Sequence, residues 1–309
     1  MQVGRASAAF AGYAKPMIGI FDSGLGGLTV LRALHVRFAG ERMVYLGDQA
    51  NMPYGNRTAG EVVALTRAGV THLFDAGCDL VLLGCNTATA VAARTLQRDW
   101  LPQSRYAKRR ILGIVAPTVE AATQTPWAVT TPQYPQKNNT DVIAIFGTAR
   151  TIASNVYPEE IGKRCPRVRV VQQTCAGLAG AIEAGASEAT LDALVADGVA
   201  GVLAAVGSAP DRAILGCTHY PLVERLFRRH LPAATRILSQ PEIVADSLED
   251  YLHRHPRFSS PVPTVGVRHV DLRTTGVPDE VDRAARIFWP ECPGFVAVHS
   301  DLAGARNLA

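Results

Sequence analysis

The sequence has little charge, few cysteines and no long uncharged apolar run. Charged residues make up 19% against 48% hydrophobic ones, which excludes a disordered chain. Lys plus Arg number 31 and Asp plus Glu 27, for a net charge of +4. So small an excess argues against a strongly electrostatic nucleic-acid binder. No uncharged stretch reaches the roughly 20 apolar residues of a membrane span. Neither nucleic acid nor membrane is therefore an expected partner. Six cysteines in 309 residues are too sparse for a disulfide-held mini-fold. No two of them have the CxxC spacing of a zinc ribbon or a thioredoxin-like site. Residues 1–16 have a weak apolar centre, broken by Lys15 and Pro16, and read as a loose N-terminal extension rather than a signal peptide. The expected compartment is the cytosol, with free thiols. The question is then whether any of the six cysteines does chemistry.

What the sequence does contain is a series of short apolar runs that end in Gly, Cys or Asp and lead into helical patterns. Met17–Phe21, Met43–Gly47, Leu80–Gly84 and Ile111–Val115 lie in the first half. Val142–Phe146, Val168–Gln172 and Ala213–Gly216 lie in the second. Runs without alternation suit strands buried on both faces, as in a parallel sheet. Stretches such as Gly60–Ala76 and Thr190–Val206 read as helices between them, which gives an α/β class. Pro126, Pro132, Pro135 and Lys137-Asn138-Asn139 mark residues 124–140 as a linker or surface loop. That loop separates a first α/β unit, 17–123, from a second, 141–240. The Pro-rich stretch Pro256–Pro263 falls within a C-terminal segment, 241–309, expected to pack back on the first unit.

The two halves echo one another. Ile18-Gly19-Ile20-Phe21 before Asp22-Ser23 is matched by Ile143-Ala144-Ile145-Phe146 before Gly147-Thr148. Leu83-Gly84-Cys85-Asn86-Thr87 is matched by Leu215-Gly216-Cys217-Thr218-His219 at a similar offset. A duplicated α/β unit explains both; chance likeness of apolar strands is the alternative. Both echoes fall where a strand gives way to a helix, the place where open α/β sheets bind ligands. Cys85 and Cys217 thus stand near unpaired backbone N–H groups and a positive helix end, a setting that acidifies a thiol. A buried packing cysteine is the plain alternative for either one. His219 stands two residues from Cys217 and can stabilise a thiolate or move a proton.

Asp22-Ser23-Gly24-Leu25-Gly26-Gly27 is not a dinucleotide fingerprint, because Thr29 occupies the third glycine position and Asp22 would repel a pyrophosphate. It is not a GxSxG elbow either, since Phe21 replaces the first glycine. A carboxylate and a hydroxyl at a permissive turn suit the amino group and carboxylate of a small ligand, or else Asp22 merely caps the turn. The loop holding Asp48, Pro53, Tyr54 and Gly55 reads on its own as an ordinary turn. Cys175 also follows a strand and is left open. Cys78, Cys165 and Cys292 read as structural, and the basic runs Lys108-Arg109-Arg110 and Arg228-Arg229 as solvated surface. Two thiols from two related halves suit a symmetric reaction. Racemisation is one: a base on one face removes the α-hydrogen and an acid on the other returns a proton. Asn86, Thr87, Ser23 and Thr218 offer donors for the carbanion.

At this point the motifs resemble the glutamate racemases of the aspartate/glutamate racemase superfamily. The matching stretches are Gly19 to Gly27, Gly47-Asp48 with Pro53-Tyr54-Gly55, Cys85-Asn86-Thr87-Ala88, Gly147-Thr148 with Thr151 and Ser154, and Gly216 to Pro221. They run in order from about Ile18 to Leu226. The resemblance implies two similar α/β domains with mainly parallel sheets flanked by helices, related by a pseudo-two-fold axis, with the active site in the cleft between them. It implies a cofactor-independent, metal-free interconversion of L- and D-glutamate for peptidoglycan synthesis. Cys85 would take the proton of D-glutamate and Cys217 that of L-glutamate, with Asp22 and His219 as auxiliary residues. Ser23, Tyr54, Gly55, Asn86, Thr87 and Thr218 match substrate-binding positions, as Asp22 and His219 also do. Thr-His after the second cysteine resembles glutamate racemases; aspartate racemases usually show Thr-Glu. A homodimer is an expectation from the family alone. Departures are the long 124–140 stretch, Ser239-Gln240-Pro241 where an Asp-Ser pair is commoner, and Cys175-Ala176-Gly177 in place of Cys-Pro. The alternatives are a racemase of aspartate or another amino acid, a non-catalytic amino-acid-binding regulator, a cysteine hydrolase without the usual elbow, and a zinc site built from Cys85, Cys217 and His219.

Overall fold

In the computed structural model, which describes residues 16–136, 141–259 and 270–298, the apolar runs become strands. The first half supplies β1 (Met17–Asp22), β2 (Arg42–Gly47), β3 (Leu80–Leu83) and β4 (Arg110–Gly113). The second supplies β5 (Val142–Gly147), β6 (Arg169–Thr174), β7 (Arg212–Gly216) and β8 (Arg236–Leu238), and β9 (Val270–Thr274) and β10 (Phe295–Ala297) follow. β1 and β3 are buried at every position, as strands covered on both faces must be. The strand expected over Ile111–Val115 is shorter: it ends at Gly113, and Val115 already opens a helix. The extension read over residues 1–16 lies outside the described residues except for Pro16, as do 137–140 of the loop and 260–269 and 299–309 of the C-terminal segment.

Among the described residues all strand pairings are parallel, in two sheets of order β10-β9-β2-β1-β3-β4 and β6-β5-β7-β8. The run β2-β1-β3-β4 repeats strand for strand as β6-β5-β7-β8. The sequence echoes therefore belong to a repeated topology, in which β1 corresponds to β5 and β3 to β7. The helices that flank the sheets are α1 (Leu28–Arg37), α2 (Ala59–Asp75), α3 (Asn86–Thr95), α4 (Val115–Thr123), α5 (Ala149–Ala153), α6 (Val156–Arg164), α7 (Leu178–Glu183), α8 (Glu188–Val206), α9 (Glu224–His230), α10 (Gln240–Arg254) and α11 (Pro278–Ala285). Their ends follow local chemistry. Thr58 and Glu61 form a capping box at the start of α2. Ser187 caps α8, and Gly207, at φ +75°, ends it in the left-handed conformation that glycine adopts without strain.

By length and hydropathy α8 is one helix, among the described residues, able to cross a membrane. It carries Glu188, Asp192 and Asp197, and its Val195, Val199 and Val202 pack into a core shared with Ala144 and Phe146 of β5. The same core takes in Ile18 and Ile20 of β1 and Val244, Ala245 and Leu248 of α10, so the two sheets are not independently packed. α4 buries Val115, Val119 and Ala122 with Ile143 and Ile145 of β5 and Leu238 of β8. Across the halves, Arg94 of α3 pairs with the nearly buried Glu160 of α6, which Lys163 and Arg164 also hold. One surface reading needs correction. Arg109 is only partly exposed: its guanidinium lies over the rings of Phe74 and Tyr106 and donates to Phe74 O at 2.6 Å.

β1 carries the first site loop, and α2 covers it at Gly69. A Cβ there would stand 2.1 Å from a ring carbon of Phe21, the residue before Asp22. Alanine favours helix over glycine by about 1 kcal/mol. Here overpacking opposes that gain, at about 1–3 kcal/mol. Gly69→Ala is expected to lower stability in urea unfolding; a variant as stable as the parent or more so would show that Phe21 has room to move.

Candidate active site

The site is built from the carboxyl ends of both sheets. Cys85 follows β3 and caps α3: its Sγ accepts from the Ala88 backbone N–H at 3.5 Å and lies 3.3 Å from Ser23 Oγ. The helix start was expected to acidify this thiol, but burial outweighs the Ala88 bond and pushes it up to about 12, with the charge of Asp22 adding to the effect and that of Cys217 contributing less. Cys217 follows β7 in the corresponding place, and its Sγ lies 3.5 Å from His219 Nδ1. The other ring nitrogen, Nε2, is 3.0 Å from Glu183 Oε1 at the end of α7. That is ion-pair range, though outside the directions of a hydrogen bond. Burial disfavours the charged ring of His219, yet the neighbouring Cys217 and Glu183 outweigh it and hold the imidazole well above its ordinary range.

Asp22 ends β1 and is 1% exposed. Its Oδ1 accepts from the Gly24 N–H at 2.7 Å, while Oδ2 is buried with no hydrogen-bond partner among the described residues. Desolvation raises this carboxyl to about 6, against the pull of His219 and the Gly24 bond. The turn that follows touches the second half. Thr29 Oγ1 donates to Thr218 O at 2.9 Å, and a Cβ on Gly26 would stand 2.5 Å from both Thr218 Oγ1 and His219 Nδ1. Only a glycine lets these two loops approach so closely.

Tyr54 is buried and donates to Asp48 Oδ2 at 2.7 Å; Asn51 and Thr275 bond the same carboxylate. Gly55 stands against Thr148. Thr87 Oγ1 lies 3.0 Å from Thr148 Oγ1 and 3.2 Å from Thr151 Oγ1, so hydroxyls from α3 and α5 meet across the halves. Asn86 is buried against Gln240, with Nδ2 donating to Oε1 at 2.5 Å. Cys175 is buried near Cys217 and Tyr220, and burial pushes its thiol up to about 12. Cys78 and Cys165 are buried, and Cys292 is partly so. A cavity of about 500 Å³ lies elsewhere, lined by Leu82, Leu112, Pro117, Trp127, Val244 and Tyr251 among others; neither thiol, nor Asp22, Ser23 or His219, lines it. No group of three or more His, Cys, Asp or Glu side chains among the described residues is arranged to hold a metal.

Comparison with known proteins decides the family. No family model matches the chain. The glutamate racemase of Phenylobacterium zucineum (strain HLK1) is 48% identical over 276 residues, which is 88% of this chain and 96% of that protein. That of Caulobacter sp. (strain K31) is 48% identical with the same coverage. The chain belongs to the glutamate racemase family. Its structure agrees: glutamate racemase isoform RacE1 from Bacillus anthracis superposes with a TM-score of 0.77 at 25% identity, over 92% of this chain and 98% of that one. An aspartate racemase from Picrophilus torridus shares the fold more distantly, with a TM-score of 0.51 at 14% identity over 79% of this chain and 99% of that one.

For this racemase fold, the structure brings Asp22, Ser23, Cys85, Cys217, Thr218 and His219 into one neighbourhood. It links Thr87 to the second half and sets Tyr54 on a separate, Asp48-centred support. Sequence reading missed Glu183, whose only signal was a carboxylate closing a helix, and Gln240, which stood out only as a departure. Thr148 and Thr151 belong to a matching motif, and their hydroxyls meet Thr87.

The buried carboxyl of Asp22, with one oxygen unpartnered, has a stability consequence. It holds its proton to higher pH when folded than when unfolded, so its stabilising effect is full below about 4 and is lost as pH rises through about 6. Asp22→Asn removes the titration. The variant should gain about 2 kcal/mol over the parent between pH 4.5 and pH 8, by urea unfolding at each pH. A constant difference would show that Asp22 is already ionised at low pH.

Proposed function

We propose that this racemase interconverts L- and D-glutamate by a two-thiol exchange without a cofactor, and that the D-glutamate serves peptidoglycan synthesis. The observation that carries the reading is the placement of Cys85 and Cys217 after equivalent strands of a repeated topology, each with its own polar partner. Such an exchange needs one protonated and one deprotonated partner. Burial supports a proton on Cys85. His219, with Glu183 behind it, supports proton removal from Cys217. With L-glutamate, Cys217 takes the α-proton and Cys85 returns one on the other face; with D-glutamate the roles reverse.

The α-hydrogen is weakly acidic, so the carbanion needs donors fixed in place and shielded from water. Ser23, Thr87 and Thr218, with the backbone N–H groups at the start of α3, are assigned to hold the substrate carboxylates, and Tyr54 and Gly55 to close the site. The free oxygen of Asp22 suits the substrate ammonium, whose charge would replace the missing partner of that carboxylate.

Pure L-glutamate in D2O, with nothing added, should lose optical rotation and gain α-deuterium. Aspartate under the same conditions should react far more slowly. Binding without any exchange would favour a regulator, and faster exchange of aspartate would reassign the substrate. Cys85→Ala and Cys217→Ala should each lower racemisation on the order of 10³-fold or more, the scale of a lost acid/base group. Near-normal turnover in both directions by one variant would rule out the two-base scheme.

A further inference from the structure

Gln240 opens α10 and is completely buried, as are Thr118 and Tyr157 beside it; Asn86, also beside it, is 2% exposed. A buried carboxamide has to find partners for both its ends. Oε1 of Gln240 accepts from Asn86 Nδ2 at 2.5 Å, and Nε2 donates back to Asn86 Oδ1 at 3.1 Å. The same Nε2 lies 2.9 Å from Thr118 Oγ1 and 3.2 Å from the Tyr157 hydroxyl. Tyr157 in turn donates to Asn86 Oδ1 at 2.8 Å.

Counting donors and acceptors shows what this leaves for Asn86. Its oxygen already accepts two hydrogen bonds. Its nitrogen has spent one of two protons on Gln240. One N–H remains, and because the amide is planar, pinning its oxygen and first N–H fixes the direction of the second. Asn86 directly follows Cys85 and opens α3.

We propose that Gln240 is a positioning residue, holding the Asn86 amide so that it offers a substrate carboxylate a donor and never an acceptor. The proposal rests on the reading of the site as one for a dicarboxylic amino acid. Without Gln240 only the Tyr157 hydroxyl holds the Asn86 amide, and an amide that turned over would set its oxygen toward the carboxylate and repel it. Glutamine supplies a donor and an acceptor at the end of one side chain. This gives a physical sense to Ser239-Gln240-Pro241, where an Asp-Ser pair is commoner: neither an ionised aspartate nor a serine can form the same reciprocal amide pair.

The test compares Gln240→Met, which keeps the length and stays apolar, with Asn86→Ala and the double variant. Two readouts are taken on the full chain: kcat/KM for each glutamate enantiomer, and solvent exchange of the Asn86 side-chain NH2 protons by NMR. Gln240→Met should lower kcat/KM about tenfold, equally in both directions, the scale of one misplaced hydrogen bond. The double variant should be no worse than Asn86→Ala, because a residue that acts through another adds nothing once the other is gone. The protected Asn86 amide proton should exchange freely in Gln240→Met. Additive losses, or unchanged kinetics with the proton still protected, would overturn the proposal. If Gln240→Met does not fold, Gln240→Ser takes its place, since its shorter single hydroxyl cannot form the reciprocal pair with Asn86. A parent chain that racemises neither glutamate nor aspartate overturns the reading of the site instead; the NMR comparison then decides the role of Gln240 without it.

Discussion

The site depends on how closely two strand ends can approach. The turn after β1 and the turn after β7 meet at Gly26, where a single Cβ would collide with Thr218 and His219. Thr29 ties the same contact with a bond to the Thr218 carbonyl. Because the loops touch there, Asp22 is sealed from water and His219 sits within reach of both Cys217 and Glu183. A larger residue at this point would open a gap that water could fill. The high local field and the shifted protonation of Asp22, Cys85 and His219 would then relax toward ordinary values.

Those shifts also set a tension between stability and function. A carboxyl that titrates near 6 with one oxygen unpartnered costs folding energy at neutral pH. The surrounding structure has to offset that cost. It does so through a core continuous across both sheets and through paired polar groups at the seam, such as Glu160 with Arg94 and the Thr87–Thr148–Thr151 hydroxyls. At the seam Glu160 is held by Arg94, Lys163 and Arg164, whereas Oδ2 of Asp22 is buried without a hydrogen bond. Asn86 lies on the border, with its oxygen saturated and one N–H left over.

Much of the frame was readable from residue patterns. Apolar runs identified β1 to β7, most clearly β1 and β3, because a strand buried on both faces needs no alternation; β6, with no buried position, was readable only from its short Val-rich run. β8, β9 and β10 were not read, since three to five residues with polar positions among them carry too little signal to separate strand from loop. The thiols, Asp22, Ser23 and His219 were legible because each follows a strand in a recurring motif. Glu183 and Gln240 were not. Each acts on a residue far away in the chain, and nothing local to a helix end or a helix start says which distant group it will meet.

The sequence by itself determined the class of fold, the repeat and the family, because these rest on local patterns and on ordered motifs that identity to known racemases then matched. Only the tertiary structure decided which side chains face one another and in what ionisation state. Protonation depends on burial and on charges brought from other strands, and these exist only once the two sheets have met. The same sequence motif that marks Cys85 and Cys217 as equivalents therefore leaves open their difference. Cys85 is backed by Ser23 and Asp22, which the turn after β1 brings across from a neighbouring strand, and Cys217 by His219 of its own turn, which Glu183 holds from the end of α7.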